Sequence, residues 1–293
     1  QRVFNGFEST VQKVKQKKSE FPKRAKRAPK NIRIPELEKI YELEVPPEKD
    51  IFKIVSEISR SEELNNYIEW VEPVFVPTLD LEINDPHFVR DDPRELWGIF
   101  RIQAEEAWDI FDEDGNGVID GEEKKPGQDV IVAIVDNGID VNHEDLRGNL
   151  WDSNFNADRS SYHGTHTAGT VAAAGNNELG VVGVSWGASI MPMDRTGGEK
   201  IVEAADLGAD IISNSWGFDS ISRTIEDAVD YATSVGAVVV TSAGNRNIDV
   251  YAHTPSMIEN TISVANFDYF DHKARSSNWG SKIDVAAPGD YII

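Results

Sequence analysis

At 293 residues, with 40% hydrophobic residues and seven tryptophans, the chain can build one large or two ordinary domains with a real core, which excludes wholesale disorder. It has no cysteine, so a disulfide framework, a thiolate metal site and a cysteine nucleophile are excluded, and no apolar run approaches the roughly 20 residues that span a bilayer. Net charge is −22 and uneven: residues 1–33 hold 11 Lys and Arg against 2 Glu, so residues 34–293 carry −31, an acidic body that argues against nucleic acid as a partner and favours calcium or salt-rich surroundings.

The chain opens on Gln with no apolar leader, which is expected of a processed or cut product, or of a fragment. Lys13 to Lys30 form a basic stretch whose sole aromatic is Phe21. A nucleic-acid arm interleaves aromatics with its charges, so a solvated or cleavable basic arm is the better reading. Residues 34–77 read as a small α+β unit. Ile40-Tyr41-Glu42-Leu43-Glu44-Val45 alternates as a half-buried strand does, and Pro46 and Pro47 end it. Asp50 stands at an N-cap position ahead of Ile51, Ile54, Val55 and Ile58 at helical spacing, and Tyr67 to Val76 predicts a second strand. Such a short unit is expected to pack on something else.

Residues 78–110 read as a linker that becomes anchored. Asn84-Asp85-Pro86 and Asp91-Asp92-Pro93 are turn signals, and Leu96, Trp97, Ile99, Ala104, Ala107 and Trp108 are the anchors. The stretch 112–123 then places oxygen ligands at Asp112, Asp114, Asn116, Asp120 and Glu123, with Val118 at the position that gives a backbone carbonyl. Gly117 falls where an EF-hand loop must turn sharply and Ile119 where its apolar residue sits, so the loop reads as a calcium site. The alternative is an acidic surface loop. Ala104–Phe111 is the candidate entering helix, whereas Pro126-Gly127 stops any exiting one, so a structural clip is expected rather than a sensor.

From 128 the pattern becomes α/β. Val130–Val135 is an unbroken apolar run, as in a parallel strand buried on both faces, and it ends at Asp136. Further strands are predicted at 190–193, 211–213, 237–241, 261–265 and 283–286, and helices at 163–174, 199–207 and 222–235. This alternation predicts a mostly parallel sheet with helices on both faces, whose site gathers at the carboxyl ends of the strands. Chemistry-bearing residues fall at such ends. Asp136 follows one strand, and His163-Gly164-Thr165-His166-Thr167-Ala168-Gly169-Thr170 opens a helix of small residues suited to close packing. Ser213-Asn214-Ser215-Trp216-Gly217 and Ser242-Ala243-Gly244-Asn245 follow two more strands. A zinc helix is a poor reading of His163 and His166, because they are three apart with no Glu between; the second imidazole is expected to pack on the sheet.

Together these segments resemble the subtilisin-like serine proteases. Val132–Asp140 is similar to the family's Asp block, His163–Thr170 to its His block, Val240–Asn245 to its oxyanion block, and Asp284-Val285-Ala286-Ala287-Pro288-Gly289 to the stretch before its Ser block. The resemblance covers roughly 95–293. It implies His163 as general base, Asp136 as its orienter and Asn245 as a donor to the oxyanion, with Ser215, Trp216, Gly217, Ala243 and Gly244 along a polypeptide substrate. It also implies a second calcium site from the side chains of Asp145 and Asn177 and the carbonyls of Gly175, Leu179 and Val181. Residues 1–77 are then expected to be a propeptide, with cleavage between about Val76 and Arg94 and the catalytic domain running from 128 to 293.

The family's nucleophile block, Gly-Thr-Ser followed by small residues, is expected some two dozen residues after Pro288-Gly289, and no serine up to Ile293 has that context. The resemblance therefore implies a secreted, calcium-dependent, monomeric serine endopeptidase bound by its own propeptide and cut before its serine. The other readings are an inactive relative that binds a peptide, and an inhibitor-like product whose working part is 34–77.

Overall fold

The structure is a computed structural model, and it describes residues 9–20, 36–41, 43, 45–46, 49–73, 82–90, 92, 94–113, 116–119, 123–152 and 161–293. The chain divides into two compact units, Gln1–Val76 and Pro77–Ile293. No helix among the described residues is long and apolar enough to cross a membrane.

In the first unit a lysine-rich helix α1, Thr10–Glu20, precedes a 3-10 turn at Leu37–Lys39 and helix α2, Ile51–Arg60. Asp50 caps α2 as expected, its carboxylate accepting from the amides of Phe52 (3.0 Å) and Lys53 (3.1 Å). Ile51, Ile54, Val55 and Ile58 line a groove with Leu43, Val45, Pro46 and Val71.

The two strands expected here are not found among the described residues. Of 40–45 only Tyr41 makes an isolated bridge, and Glu42 and Glu44 lie outside the described residues. Tyr67 to Pro73 follow a 3-10 turn at Leu64–Asn66 as irregular chain, and Val74 to Val76 lie outside the described residues. Alternation yields a strand only where one face is covered and the backbone finds a ladder. Tyr67 and Trp70 instead stand 85% and 54% exposed.

In the second unit, helices α3 (Trp97–Arg101) and α4 (Ala104–Trp108) bury Leu96, Trp97, Ile99, Ala104 and Trp108 as anchors. Ala107, expected as a further anchor, is exposed, and the helix expected to reach Phe111 gives way after Trp108 to a 3-10 turn at Asp109–Phe111. Trp108 donates its indole N–H to the Val184 carbonyl (2.9 Å) and stacks edge-on against Trp186.

The main sheet comprises β1 (Ile131–Val135), β2 (Ser189–Met193), β3 (Ile211–Asn214), β5 (Val238–Ser242), β7 (Thr261–Phe267) and β8 (Val285–Pro288). All pairings are parallel, in the order β2-β1-β3-β5-β7-β8. Two short strands, β4 (Phe218–Asp219) and β6 (His253–Thr254), pair antiparallel beside it. Helix α5 (Tyr162–Ala172) covers one face through Ala168 and Ala172 against Val132, Ile134 and Ile190. On the other face, α6 (Gly198–Asp206) and α7 (Arg223–Ser234) pack Ile201, Ala204, Val229 and Ala232 on Val135, Met191, Ile212 and Val239. Helices on both faces bury β1 from Val132 to Val135, which is why it reads as continuous apolar sequence.

The last strand begins two residues later than expected. The Asp284 carboxylate accepts the Ser263 amide (2.7 Å), and Ile283 closes a turn on the Gly280 carbonyl, so the ladder starts at Val285.

Candidate active site

The register of the sheet sets the site. Val135 of β1 lies beside Asn214 of β3, and Asn214 beside Thr241 of β5. The residues after these strands therefore emerge at the same edge: Asp136, then Ser215-Trp216-Gly217, then Ala243-Gly244-Asn245. This is the carboxyl edge, where open parallel sheets hold their ligands.

Asp136 is buried, 3% exposed, and its Oδ1 accepts the Asn137 amide (2.7 Å). Its Oδ2 lies 2.7 Å from His163 Nδ1, in the first turn of α5. A carboxylate accepts only, so Nδ1 carries the proton and Nε2 is left with its lone pair. The imidazole itself is 62% exposed. A buried acceptor thus fixes the tautomer of a histidine that faces solvent, the arrangement a general base needs.

What allows the contact is Gly164. A Cβ at this position would lie 2.1 Å from the Gly138 carbonyl oxygen, so only a glycine lets α5 approach the end of β1 so closely. Ser161 caps the helix, and the Asp140 amide donates to Thr165 Oγ1 (2.9 Å) to tie the loop back.

His166 does not pack on the sheet as the sequence suggested. Its Nε2 lies 3.2 Å from the Ile292 carbonyl, and its ring lies beside Tyr162. It lines a pocket of about 540 Å³ with His87, Asp140, His143 and Asp145.

Asn245 is exposed on a turn that Gly244 makes possible at φ +94°. The turn is pinned by Asn278, fully buried, which sequence reading missed. Its Nδ2 donates to the Ala243 carbonyl (2.8 Å), its Oδ1 accepts from Arg246 N (3.0 Å) and Ile248 N (3.1 Å), and its amide donates to the Gly244 carbonyl (2.9 Å). Every bond from the buried side chain goes to backbone, so Asn278 fixes the path of the loop that presents Asn245.

Asp145 is 2% exposed and organises the loop 175–181. It accepts from Asn177 Nδ2 (2.7 Å) and Val181 N (3.0 Å), and Asn177 Oδ1 accepts the Leu179 amide (2.8 Å). Gly175 has Trp186 where a Cβ would go, at 2.8 Å. The structure adds a group that reads in sequence only as a turn residue. Asp85, 4% exposed, accepts the Asn176 amide on Oδ2 (2.7 Å), while its buried Oδ1 has no hydrogen-bond partner. Burial pushes its carboxyl above the ordinary range, and the charge of Asp145 adds to the effect. Asn84 completes the tie, donating its amide to Asn176 Oδ1 (3.1 Å) and accepting the Glu178 amide (3.1 Å), and the His87 amide donates to the Gly180 carbonyl (3.2 Å).

Of the EF-hand-like loop, Asp112, Asn116, Val118 and Glu123 are described, and Asp114 and Asp120 lie outside the described residues. Asp112 accepts the amides of Asn116 (3.1 Å) and Gly117 (2.8 Å), and Asn116 accepts that of Val118 (2.8 Å). Glu123 accepts the amide of Glu113 (2.6 Å), Gly117 turns at φ +87°, and Ile119 is buried. The Gly117 carbonyl accepts the Glu82 amide (2.7 Å). Among the described residues, no three His, Cys, Asp or Glu side chains group as a metal cage.

A family model described as the subtilase family matches residues 127–292. The chain is 36% identical to thermitase of Thermoactinomyces vulgaris over 225 residues, 71% of this chain and 74% of that protein. It is 31% identical to a thermophilic serine proteinase of Bacillus sp. strain AK1, covering 78% of this chain and 57% of that one. It is 34% identical to fervidolysin of Fervidobacterium pennivorans, of whose length it spans 31%. Among solved structures, a protease of Pseudoalteromonas arctica superposes with a TM-score of 0.55 at 28% identity, over 71% of this chain and 72% of that one. The chain belongs to the subtilase family.

Proposed function

We propose that this chain supplies the general base, His163, and its positioning residue, Asp136, to a secreted serine endopeptidase. The carrying observation is the 2.7 Å contact between exposed His163 and buried Asp136 at the carboxyl edge of the sheet. By the family pattern, the attacking hydroxyl belongs to a serine following Pro288-Gly289. Its proton passes to His163 Nε2 as oxygen bonds to the scissile carbonyl carbon, and Asp136 stabilises the imidazolium. The oxyanion takes a hydrogen bond from the Asn245 side-chain amide. His163 then returns the proton to the leaving amine. Ser215, Trp216 and Gly217 on one side, and Ala243 and Gly244 on the other, offer backbone to an extended polypeptide.

Calcium fits the loop of Asp145. The donors are hard oxygens, and a cation would satisfy the buried Asp85 Oδ1, which has no hydrogen-bond partner, and hold the carboxyl in its charged form. Asp85 joins Asp145, Asn177 and the carbonyls of Gly175, Leu179 and Val181 in holding that ion, which supplies rigidity rather than chemistry. A second ion belongs to Asp112, Asp114, Asn116, Val118, Asp120 and Glu123. Residues 1–77 act as the propeptide.

Asp136→Asn, made in the protein that carries the serine following Pro288-Gly289, tests the assignment. The expected result is a fall in turnover of about 10⁴-fold, the size seen when a triad aspartate is replaced and the tautomer is lost. A downfield Nδ1 proton resonance of His163, present in the parent and absent in the variant, reports the contact independently of turnover. Peptide binding without any hydrolysis in the protein that carries that serine would favour the inactive-relative reading.

A further inference from the structure

A second aspartate–histidine pair, with its histidine buried, lies beside the cleft, and the mechanism does not use it. His253 pairs with Asp219 across the β4–β6 ribbon, and its Nδ1 lies 2.7 Å from Asp219 Oδ1. The ring is 7% exposed on its side chain. The second oxygen of Asp219 is held by Arg246, the residue after Asn245. With a carboxylate at Nδ1, the ring proton sits there and Nε2 carries the lone pair.

That Nε2 makes no hydrogen bond to any described residue, and its surroundings are specific. A Cβ on Gly217 would lie 2.5 Å from it and a Cβ on Gly244 would lie 2.6 Å from it. One atom thus stands against both glycines, and these belong to the two backbone segments that would flank a substrate. Neither glycine can carry a side chain without displacing the ring. The imidazole therefore takes up room between the segments that a substrate side chain would otherwise fill, and presents an acceptor there.

We propose that His253 sets the side-chain preference of the cleft, admitting a short residue and favouring one with a hydroxyl donor, such as serine, over a large aromatic one. This rests on reading the cleft as a peptide site. Asp219 fixes the tautomer, and Arg246 holds Asp219, so the acceptor is pre-oriented before substrate arrives.

The test uses the full chain with calcium and fluorescein-labelled tetrapeptides that differ only in a C-terminal Ser, Ala or Phe, with binding read by anisotropy. The expected order is Ser, then Ala, then Phe. His253→Ala is expected to raise the affinity for the Phe peptide relative to Ser at least about tenfold, the discrimination one filled or emptied pocket commonly gives. His253→Gln, which keeps bulk and an acceptor oxygen, is expected to retain the preference for short residues, and so answers the question if the alanine variant does not fold. Equal ratios in parent and variants, or a parent that prefers Phe, overturn the role of His253 and leave the peptide site standing. No binding of any peptide to any of the proteins overturns the peptide site, and this inference with it.

Discussion

Asn245 and Gly164 show how single residues can act in opposite ways. Asn245 is exposed and contributes little to packing, so Asn245→Leu should leave stability unchanged. In the protein that carries the nucleophilic serine, turnover should nevertheless fall about 10²–10³-fold with KM little altered, a magnitude that comes from subtilisin, because the donor acts on charge formed only in the transition state. Gly164 touches no substrate, yet Gly164→Ala puts a carbon 2.1 Å from the Gly138 carbonyl oxygen. The helix must back away and carry His163 with it. The expected cost is about 1–3 kcal/mol in urea unfolding, together with a loss of turnover. A stable, fully active alanine variant would contradict the close approach.

At the scale of elements, the ion pair between Asp194, which follows β2, and Lys200 of α6 gives a prediction with a sign. Lys200 Nζ lies 3.0 Å from Asp194 Oδ1 and 2.8 Å from Glu203 Oε2. The Lys200 ammonium beside Asp194 holds its carboxyl below the usual range. A depressed folded value means the contribution is complete above the unfolded carboxylate value, about 3.9, and is lost as pH falls through the folded one. Acid unfolding of the parent should therefore show a component that Lys200→Met removes, with the two proteins converging at the acid end. Legibility follows the same scale. The strands and helices from 128 onward were readable because burial on two faces writes a continuous apolar run, and burial on one face writes a helical period. The strands predicted in 34–77 were not, because alternation says nothing of whether a partner strand or a covering core exists. Asp136, His163 and Asn245 were legible from their motifs. His253, Asn278 and Asp85 were not, because each acts on residues far away in sequence: His253 on Asp219, 34 positions off, and Asn278 on Ala243, 35 positions off. Their local sequence is ordinary, and their chemistry comes from the fold.

For the whole molecule, an acidic chain of net charge −22 gains most from cations held at fixed points. A calcium ion bound only by the folded state adds about 2.7 kcal/mol when free calcium is 100 times its Kd. At roughly 2–4 °C per kcal/mol for a unit of this size, chelation with EDTA should lower the thermal midpoint by roughly 5–10 °C. Asp85→Asn should reproduce part of that drop in calcium and be less sensitive to EDTA. Equal midpoints with and without EDTA would remove calcium from the account.

The segment 82–88 gives those two loops a shared fate. At one end Glu82 grips the turn of the EF-hand-like loop; further on, Asn84, Asp85 and His87 grip the loop organised by Asp145. Between them Ile83 and Phe88 are set in the cluster that holds Trp108 and Trp186. A single peptide-bond cut within this splint would slacken both loops at once, and an ion that tightens either would shield the splint itself from a protease, including a second copy of the same enzyme.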